Sequence, residues 1–372
     1  MKQFLDSSKF KNWRRHYNIV LDTTTYCNAK CPQCSRIDST KGAKLSFAGK
    51  NIKELPLIHV PFQKIQNAFT KEELFNYHHI QLCPTWGDHM MHPHALEIVE
   101  HFLSSAPRII VTINTNGSMR DELYWWKLCS LAVRYKSRYN DRRLILVFAV
   151  DGINQEMHGL YRRNTDLQKV LDHVKICSEF KDRVIVETQT VLFKHNQEHL
   201  EEITSLCKKY GSEKHSSVIS DRFRKNNTYT FYDENNIELS LQEVTNDWAD
   251  NFKKQGAQIN KTGIPSLVSM PTCGWSLTNT LNINFDGNVW PCCFFGNASI
   301  MENKKWIEHH PFARKYYNYN NNIYEKNLKD ILSNLWWKEL PYVIQSENPI
   351  RNCSYSCSNK YEKGQFRLTE SL

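Results

Sequence analysis

Cys27, Cys31 and Cys34 fall within Thr23-Thr24-Thr25-Tyr26-Cys27-Asn28-Ala29-Lys30-Cys31-Pro32-Gln33-Cys34. Thiolates at C-x3-C-x2-C spacing can wrap three corners of a 4Fe-4S cluster, and Pro32 biases Cys31 away from helix so that the loop stays open. Three thiolates leave one iron without a protein ligand, and an open position is what separates catalytic from structural metal sites. An amino group and a carboxylate of a bound molecule can close it. The same thiols suit zinc, with His16 as the nearest outside ligand, so spacing alone leaves both metals standing.

A second group, Cys273, Cys292, Cys293, Cys353 and Cys357, takes five of the twelve cysteines into the last hundred residues. Four thiolates close a cluster or a zinc ribbon alike. Cys83, Cys129, Cys177 and Cys207 are scattered among apolar residues and are expected as buried core thiols. Of these, Cys83 ends a strand at the mouth of the fold, where a hydrogen donor to a reaction would lie. Grouped cysteines in a chain expected to be cytoplasmic point to metal rather than to disulfides.

These groups need a scaffold. The chain has 372 residues, 40% hydrophobic and 23% charged, which suits one large core and a smaller unit. Strand candidates are Asn18 to Thr24, His79 to Cys83, Arg108 to Asn114, Leu144 to Val150, Val184 to Leu192 and Ser216 to Ser220. Helical spacing recurs between them, as in Leu167, Val170, Leu171 and Val174, and the alternation predicts βαβ units around a parallel sheet. The first cysteine loop leaves the end of the first strand, where ligand sites of such architectures lie. Residues 1–220 are the expected core, and residues 221–262, polar and Asn-rich with a short strand at Thr228 to Tyr232, the junction. Residues 263–372 are the expected metal-stapled domain, with a hairpin at Asp286-Gly287-Asn288 and a helical stretch from Leu328 to Trp337.

The first cysteine loop resembles that of the radical S-adenosylmethionine (radical SAM) superfamily, and further motifs follow in that family's order. Trp86-Gly87-Asp88 resembles the Gly-Gly-Glu segment that receives the SAM amino group, with Trp for the first Gly and Asp for Glu. Thr115-Asn116-Gly117 and Val150-Asp151-Gly152 resemble segments lining the SAM pocket. His158 and Arg162 are spaced as in members whose Arg pairs with the SAM carboxylate, although Arg163 makes the register ambiguous. Gln33 stands where the family has an apolar or aromatic residue on the adenine side. The resemblance implies an α/β fold, a partial (β/α)6 TIM-type barrel with a small C-terminal α+β domain. Cys27, Cys31 and Cys34 then hold the SAM-binding 4Fe-4S cluster, with Gln33, Trp86, Gly87, Asp88, Thr115, Asn116, Asp151 and Arg162 around the cofactor.

The late cysteines resemble the SPASM and twitch extensions, whose pattern opens with Cys, a spacer and G-x4-C on a hairpin. Too few are present for the full seven-cysteine pattern, so the resemblance implies the twitch type with one auxiliary 4Fe-4S cluster on Cys273, Cys292, Cys353 and Cys357. The G-x4-C register selects Cys292 over Cys293. The implied activity is reductive cleavage of SAM to a 5'-deoxyadenosyl radical that abstracts hydrogen from a substrate, with electrons from a donor such as flavodoxin or ferredoxin. The expected substrate is a peptide, with a small-molecule dehydrogenase or cofactor-biosynthesis enzyme as the alternative. From another class, an iron-sulfur carrier or binding module would need no pocket motifs. The formal charge of +9 is spread along the chain and does not mark a nucleic-acid surface, and no apolar run is long enough for a membrane span.

Overall fold

The computed structural model describes residues 17–36, 55–83, 85–220, 222–223, 227–233, 235–259, 279–300, 310–344, 346, 350, 353 and 368–369. Six parallel strands form the core in sequential order: β1 (Tyr17–Leu21), β2 (Tyr77–Leu82), β3 (Ile110–Thr115), β4 (Leu144–Ala149), β5 (Val184–Leu192) and β6 (Lys214–Ile219). All six expected strands are present, shifted by at most a few residues. Their sequential order requires a crossover after each strand on one side of the sheet, the arrangement of a partial (β/α)6 barrel.

Alternation decides the two faces. Along β5 every second residue from Val184 to Leu192 is buried, and the residues between are half-exposed. On β2 and β3, Ile80, Leu82, Val111 and Ile113 pack fully buried into the main core. The helices Ala95–Ser105 (α1), Glu122–Arg134 (α2), Leu167–Ser178 (α4) and Leu200–Lys209 (α5) bring buried apolar stripes to that core, as amphipathic helices on a sheet do. A shorter helix, Gln155–Tyr161 (α3), precedes α4. The side chains of Asp121, Asn154 and Asp166 accept from the third backbone N–H beyond them and start α2, α3 and α4. The opposite, inner face is polar. His79 bonds Thr112 at 2.7 Å, Gln81 bonds Asn114 at 2.7 Å and Gln189 bonds Ser216 at 3.3 Å.

The expected junction holds a two-stranded antiparallel unit, β7 (Thr228–Tyr232) and β8 (Glu238–Gln242), followed by the helix Asn246–Ile259. The sequence shows only the first of these strands. Beyond it, β9 (Thr280–Ile283) and β10 (Val289–Trp290) form the expected hairpin, with Gly287 at φ +87°. This hairpin does not stand apart: β9 pairs parallel with β1 and extends the core sheet. At the other edge β11 (Leu368–Thr369) pairs antiparallel with β6. The helix Cys293–Ile300 (α6) lies so close to β9 that a Cβ on Gly296 would meet Asn282 Nδ2 at 2.6 Å. The expected helical stretch from Leu328 divides at Asn334 into Leu328–Ser333 (α7) and Leu335–Ile344 (α8). Trp290, Phe295, Phe312, Tyr316 and Trp336 form an aromatic core behind the hairpin, with Trp290 and Tyr316 stacked at 3.8 Å.

Candidate active site

The three-cysteine loop leaves β1 and lies over the C-terminal ends of the parallel strands. Cys31 is buried, whereas Cys27 and Cys34 are partly exposed. The Cys34 N–H donates to the Cys31 carbonyl at 3.1 Å, closing a turn across Pro32 and Gln33. Neighbouring segments aim donors at the sulfurs. Asn116 Nδ2 stands 3.7 Å from Cys27 Sγ, and Arg162 Nη1 stands 3.7 Å from Cys31 Sγ. Burial, reinforced by the Asp88 carboxylate, pushes the Cys27 thiol far up, and burial takes that of Cys31 to about 11 against the pull of Arg162. A metal that binds these sulfurs must displace their protons.

Trp86-Gly87-Asp88 packs directly on the loop. A Cβ at Gly87 would lie 2.2 Å from the Thr24 carbonyl oxygen, so only glycine permits this approach. The Asp88 N–H donates to the Tyr26 carbonyl at 2.8 Å. The Asp88 carboxylate accepts from the Met90 N–H at 3.0 Å, the Thr115 hydroxyl at 3.0 Å, the Asn116 N–H at 2.8 Å and Asn116 Nδ2 at 2.6 Å. Burial raises its pKa, and these donors pull it back. Asp88 thus fixes Thr115 and Asn116 beside Cys27. The Trp86 indole, by contrast, lies in the apolar core, leaving its backbone on the site side.

The second expected pair also converges. Arg162 Nε donates to Asp151 Oδ2 at 2.5 Å, and the Asp151 side chain is fully buried. Burial opposes the Arg162 charge, yet Asp151 and Cys31 outweigh it and hold its pKa high. His158 serves as a brace, accepting from the Asp151 N–H at 3.1 Å and bonding the Thr165 hydroxyl at 3.0 Å. The structure separates the two arginines: Arg162 faces Cys31, and Arg163 forms an ion pair with Asp233 at 3.7 Å. Gln33 is buried, and its Oε1 accepts from the Ser220 hydroxyl at 2.6 Å while its Nε2 has no partner among the described residues.

Cys83 is buried at φ +46°, with its sulfur accepting from the Thr23 N–H at 3.2 Å and lying 3.0 Å from the Thr23 hydroxyl. That hydroxyl also bonds His89 Nδ1 at 2.8 Å. Burial pushes the Cys83 thiol up to about 12. Among the late cysteines, Cys292 and Cys353 are buried and Cys293 opens α6, whereas Cys273 and Cys357 lie outside the described residues.

Several supports escaped the sequence. Asn28 accepts from Asn116 Nδ2 at 2.8 Å through its side chain, and its backbone carbonyl accepts from Asn164 Nδ2 at 2.7 Å. Asn164 sits at φ +59°, a conformation asparagine tolerates, and that is its one sequence signal. Asn196 Nδ2 donates to the Asp151 carbonyl at 3.0 Å. Asp22, just beyond β1, accepts from the Trp86 N–H at 3.3 Å, and its Oδ2 has no partner among the described residues. Burial lifts its carboxyl from 3.8 to about 7. The folded chain therefore keeps a proton that the unfolded chain loses between those values, and stability falls as pH rises through that window, by roughly 4 kcal/mol at most. Asp22→Asn, neutral throughout, is expected to raise Tm by several degrees at about pH 8 and much less at about pH 4.5. Equal shifts in thermal scans at both values would remove Asp22 as the titrating group.

The comparisons with known proteins bear on this arrangement. Residues 273–358 match the SPASM family, described as an iron-sulfur cluster-binding domain. The match begins on Cys273 and runs past Cys357. SuiB of Streptococcus suis bound to S-adenosylmethionine has a similar structure at 12% identity and a TM-score of 0.57, covering 90% of this chain and 71% of SuiB. SuiB bound to its precursor peptide SuiA gives 13% identity and a TM-score of 0.53, covering 89% and 68%. The chain shares its overall fold with SuiB, and its late cysteine region matches the SPASM family. No curated protein matches it by sequence. The SPASM match spans the β9–β10 hairpin, α6, α7 and α8, so the domain that carries the late cysteines contributes β9 to the core sheet.

Proposed function

We propose that this SPASM-domain protein is a radical SAM enzyme that abstracts hydrogen from a peptide substrate. The observation that carries the reading is the convergence of the three-cysteine loop with Asp88–Asn116 on one side and Asp151–Arg162 on the other. The residues fit a 4Fe-4S cluster: three thiols share one loop, and two side-chain N–H donors face the sulfurs, where they would stabilise thiolates. When bound there, the cluster supplies the electron that cleaves SAM to methionine and a 5'-deoxyadenosyl radical.

The chain's own residues do the rest. Gly87 and Asp88 would present backbone to the methionine amino group, and Asp88 keeps Thr115 and Asn116 in place. Arg162, held by Asp151, offers the remainder of its guanidinium to the SAM carboxylate. Gln33 would offer its Nε2, which has no partner among the described residues, to the adenine. Cys273, Cys292, Cys353 and Cys357 would hold an auxiliary cluster, and a donor such as flavodoxin or ferredoxin would supply electrons to the enzyme. The inner face supports an amide-bearing substrate: among the described residues, the Gln81–Asn114 pair keeps one donor and one acceptor open whichever way the amides are turned, the complement of a peptide group.

The test is formation of 5'-deoxyadenosine from SAM by the anaerobically reconstituted protein under a strong reductant. A fully loaded protein that neither binds nor cleaves SAM would leave a carrier or binding module. Arg162→Lys is expected to weaken SAM binding about tenfold in equilibrium dialysis, because a point charge cannot hold Asp151 and the cofactor in one plane. Unchanged affinity would remove Arg162 from the site.

A further inference from the structure

The β7–β8 hairpin meets the cysteine loop at its most buried point. The Tyr229 hydroxyl donates to the Pro32 carbonyl at 2.9 Å. Phe231, 1% exposed, forms a small hydrophobic cluster with Cys31, Tyr161, Phe193 and Leu241, against which Cys34 and Tyr229 also pack. The Arg163–Asp233 ion pair and the Arg163 guanidinium, 5.8 Å from the Phe231 ring centre, clamp the hairpin to the segment after α3. That segment in turn holds the loop, because the Lys30 N–H donates to the Arg163 carbonyl at 2.9 Å. Cys27, on the far side, faces Asn116 and Asp88 instead. The loop therefore meets an aromatic wall at Cys31, where Arg162 is the polar group that reaches the sulfur, and a polar network at Cys27.

We infer that this hairpin is a positioning and insulating element of the three-cysteine centre, in which Tyr229 fixes the loop and Phe231 keeps water from Cys31, lowering the reduction potential of a cluster held there. The inference rests on the proposed cluster. Reduction adds one electron and no proton, so it increases the negative charge on a centre already bearing three thiolates. A water-excluding wall disfavours the more charged state. Admitting water or a polar group at Phe231 stabilises the reduced state and raises the potential.

The reconstituted full-length protein, with SAM present, is poised at a series of potentials and followed by EPR, where a signal that changes on SAM addition marks the cluster in question. Phe231→Ser is expected to shift the reduced-to-oxidised ratio at the parent's midpoint about tenfold toward reduced, or about 59 mV for one electron. Phe231→Leu, which keeps the wall apolar, is expected to retain the parent's midpoint, a rescue that a merely structural role would not produce. Tyr229→Phe keeps the ring and loses the bond to Pro32. It is expected to lose the SAM-sensitive signal to an iron chelator about tenfold faster than the parent. A Phe231→Ser midpoint equal to the parent's, or an unchanged chelation rate in Tyr229→Phe, would overturn the inference. A parent without any SAM-sensitive signal would overturn the cluster reading itself.

Discussion

The triple variant Cys27→Ala, Cys31→Ala, Cys34→Ala is expected to form no 5'-deoxyadenosine above background while keeping its fold and its auxiliary iron. Two of these side chains are partly exposed, and their loss opens little space in the core. Cys31 is buried in a small satellite cluster rather than in the main core, so its truncation should cost about 1–2 kcal/mol against a total of roughly 5–15. Nothing else on the loop can replace a thiolate, which makes the chemical loss complete even where the thermodynamic loss is small. The readouts are product by chromatography, iron content and circular dichroism. Residual product from a variant that retains only the SPASM-domain iron would place the chemistry elsewhere in the chain.

Asp88 carries the second large effect, for a different reason. Its carboxylate is buried and receives donors from Met90, Thr115 and Asn116, so truncation orphans several polar groups at once. Each orphan costs about 1–3 kcal/mol, and loss of the whole set in Asp88→Ala is expected to remove about 3–5 kcal/mol of stability. Asp88→Asn is the sharper test of function. Its amide nitrogen must face a fixed donor, the Asn116 N–H in one orientation or the Met90 N–H in the other, and the repulsion disturbs the set that holds Asn116 beside Cys27. The expected result is roughly 100-fold weaker SAM binding, about 2.7 kcal/mol, with most of the stability retained. Denaturant unfolding and equilibrium dialysis separate the two. An Asp88→Asn protein that binds SAM like the parent would show that Asp88 supports the fold alone.

The inner face can be polar without weakening the barrel. His79, Gln81, Asn114 and Gln189 satisfy much of their hydrogen bonding across the strands, while Ile80, Leu82, Val111 and Ile113 on the other face supply the burial. Apolar burial and polar pairing thereby lie on opposite sides of the same strands.

The amino-acid sequence by itself determined the cysteine loop, the six core strands, β7 and the hairpin at Gly287, because each depends on neighbours within a few positions. Spacing of thiols, a proline's effect on the residue before it and the hydrophobic period of a strand are local quantities. It also singled out Asp88, Asn116, Asp151 and Arg162, but through family resemblance rather than through any local signal of their partners. Tertiary structure alone decided which atoms meet. Asn116 reaches Cys27 across 89 positions, Arg162 reaches Cys31 across 131 and Tyr229 reaches Pro32 across 197. It also decided that β9 pairs with β1, joining the late domain to the core sheet, since strand pairing follows exposed edges rather than order along the chain. The division at Asn334 is intermediate: its side chain accepts from the Trp337 N–H at 3.3 Å and starts α8, a cap that the apolar period across Leu328 to Trp337 conceals. Contacts between residues far apart are fixed by the packing of whole elements, and that packing has no signature in any short stretch of sequence.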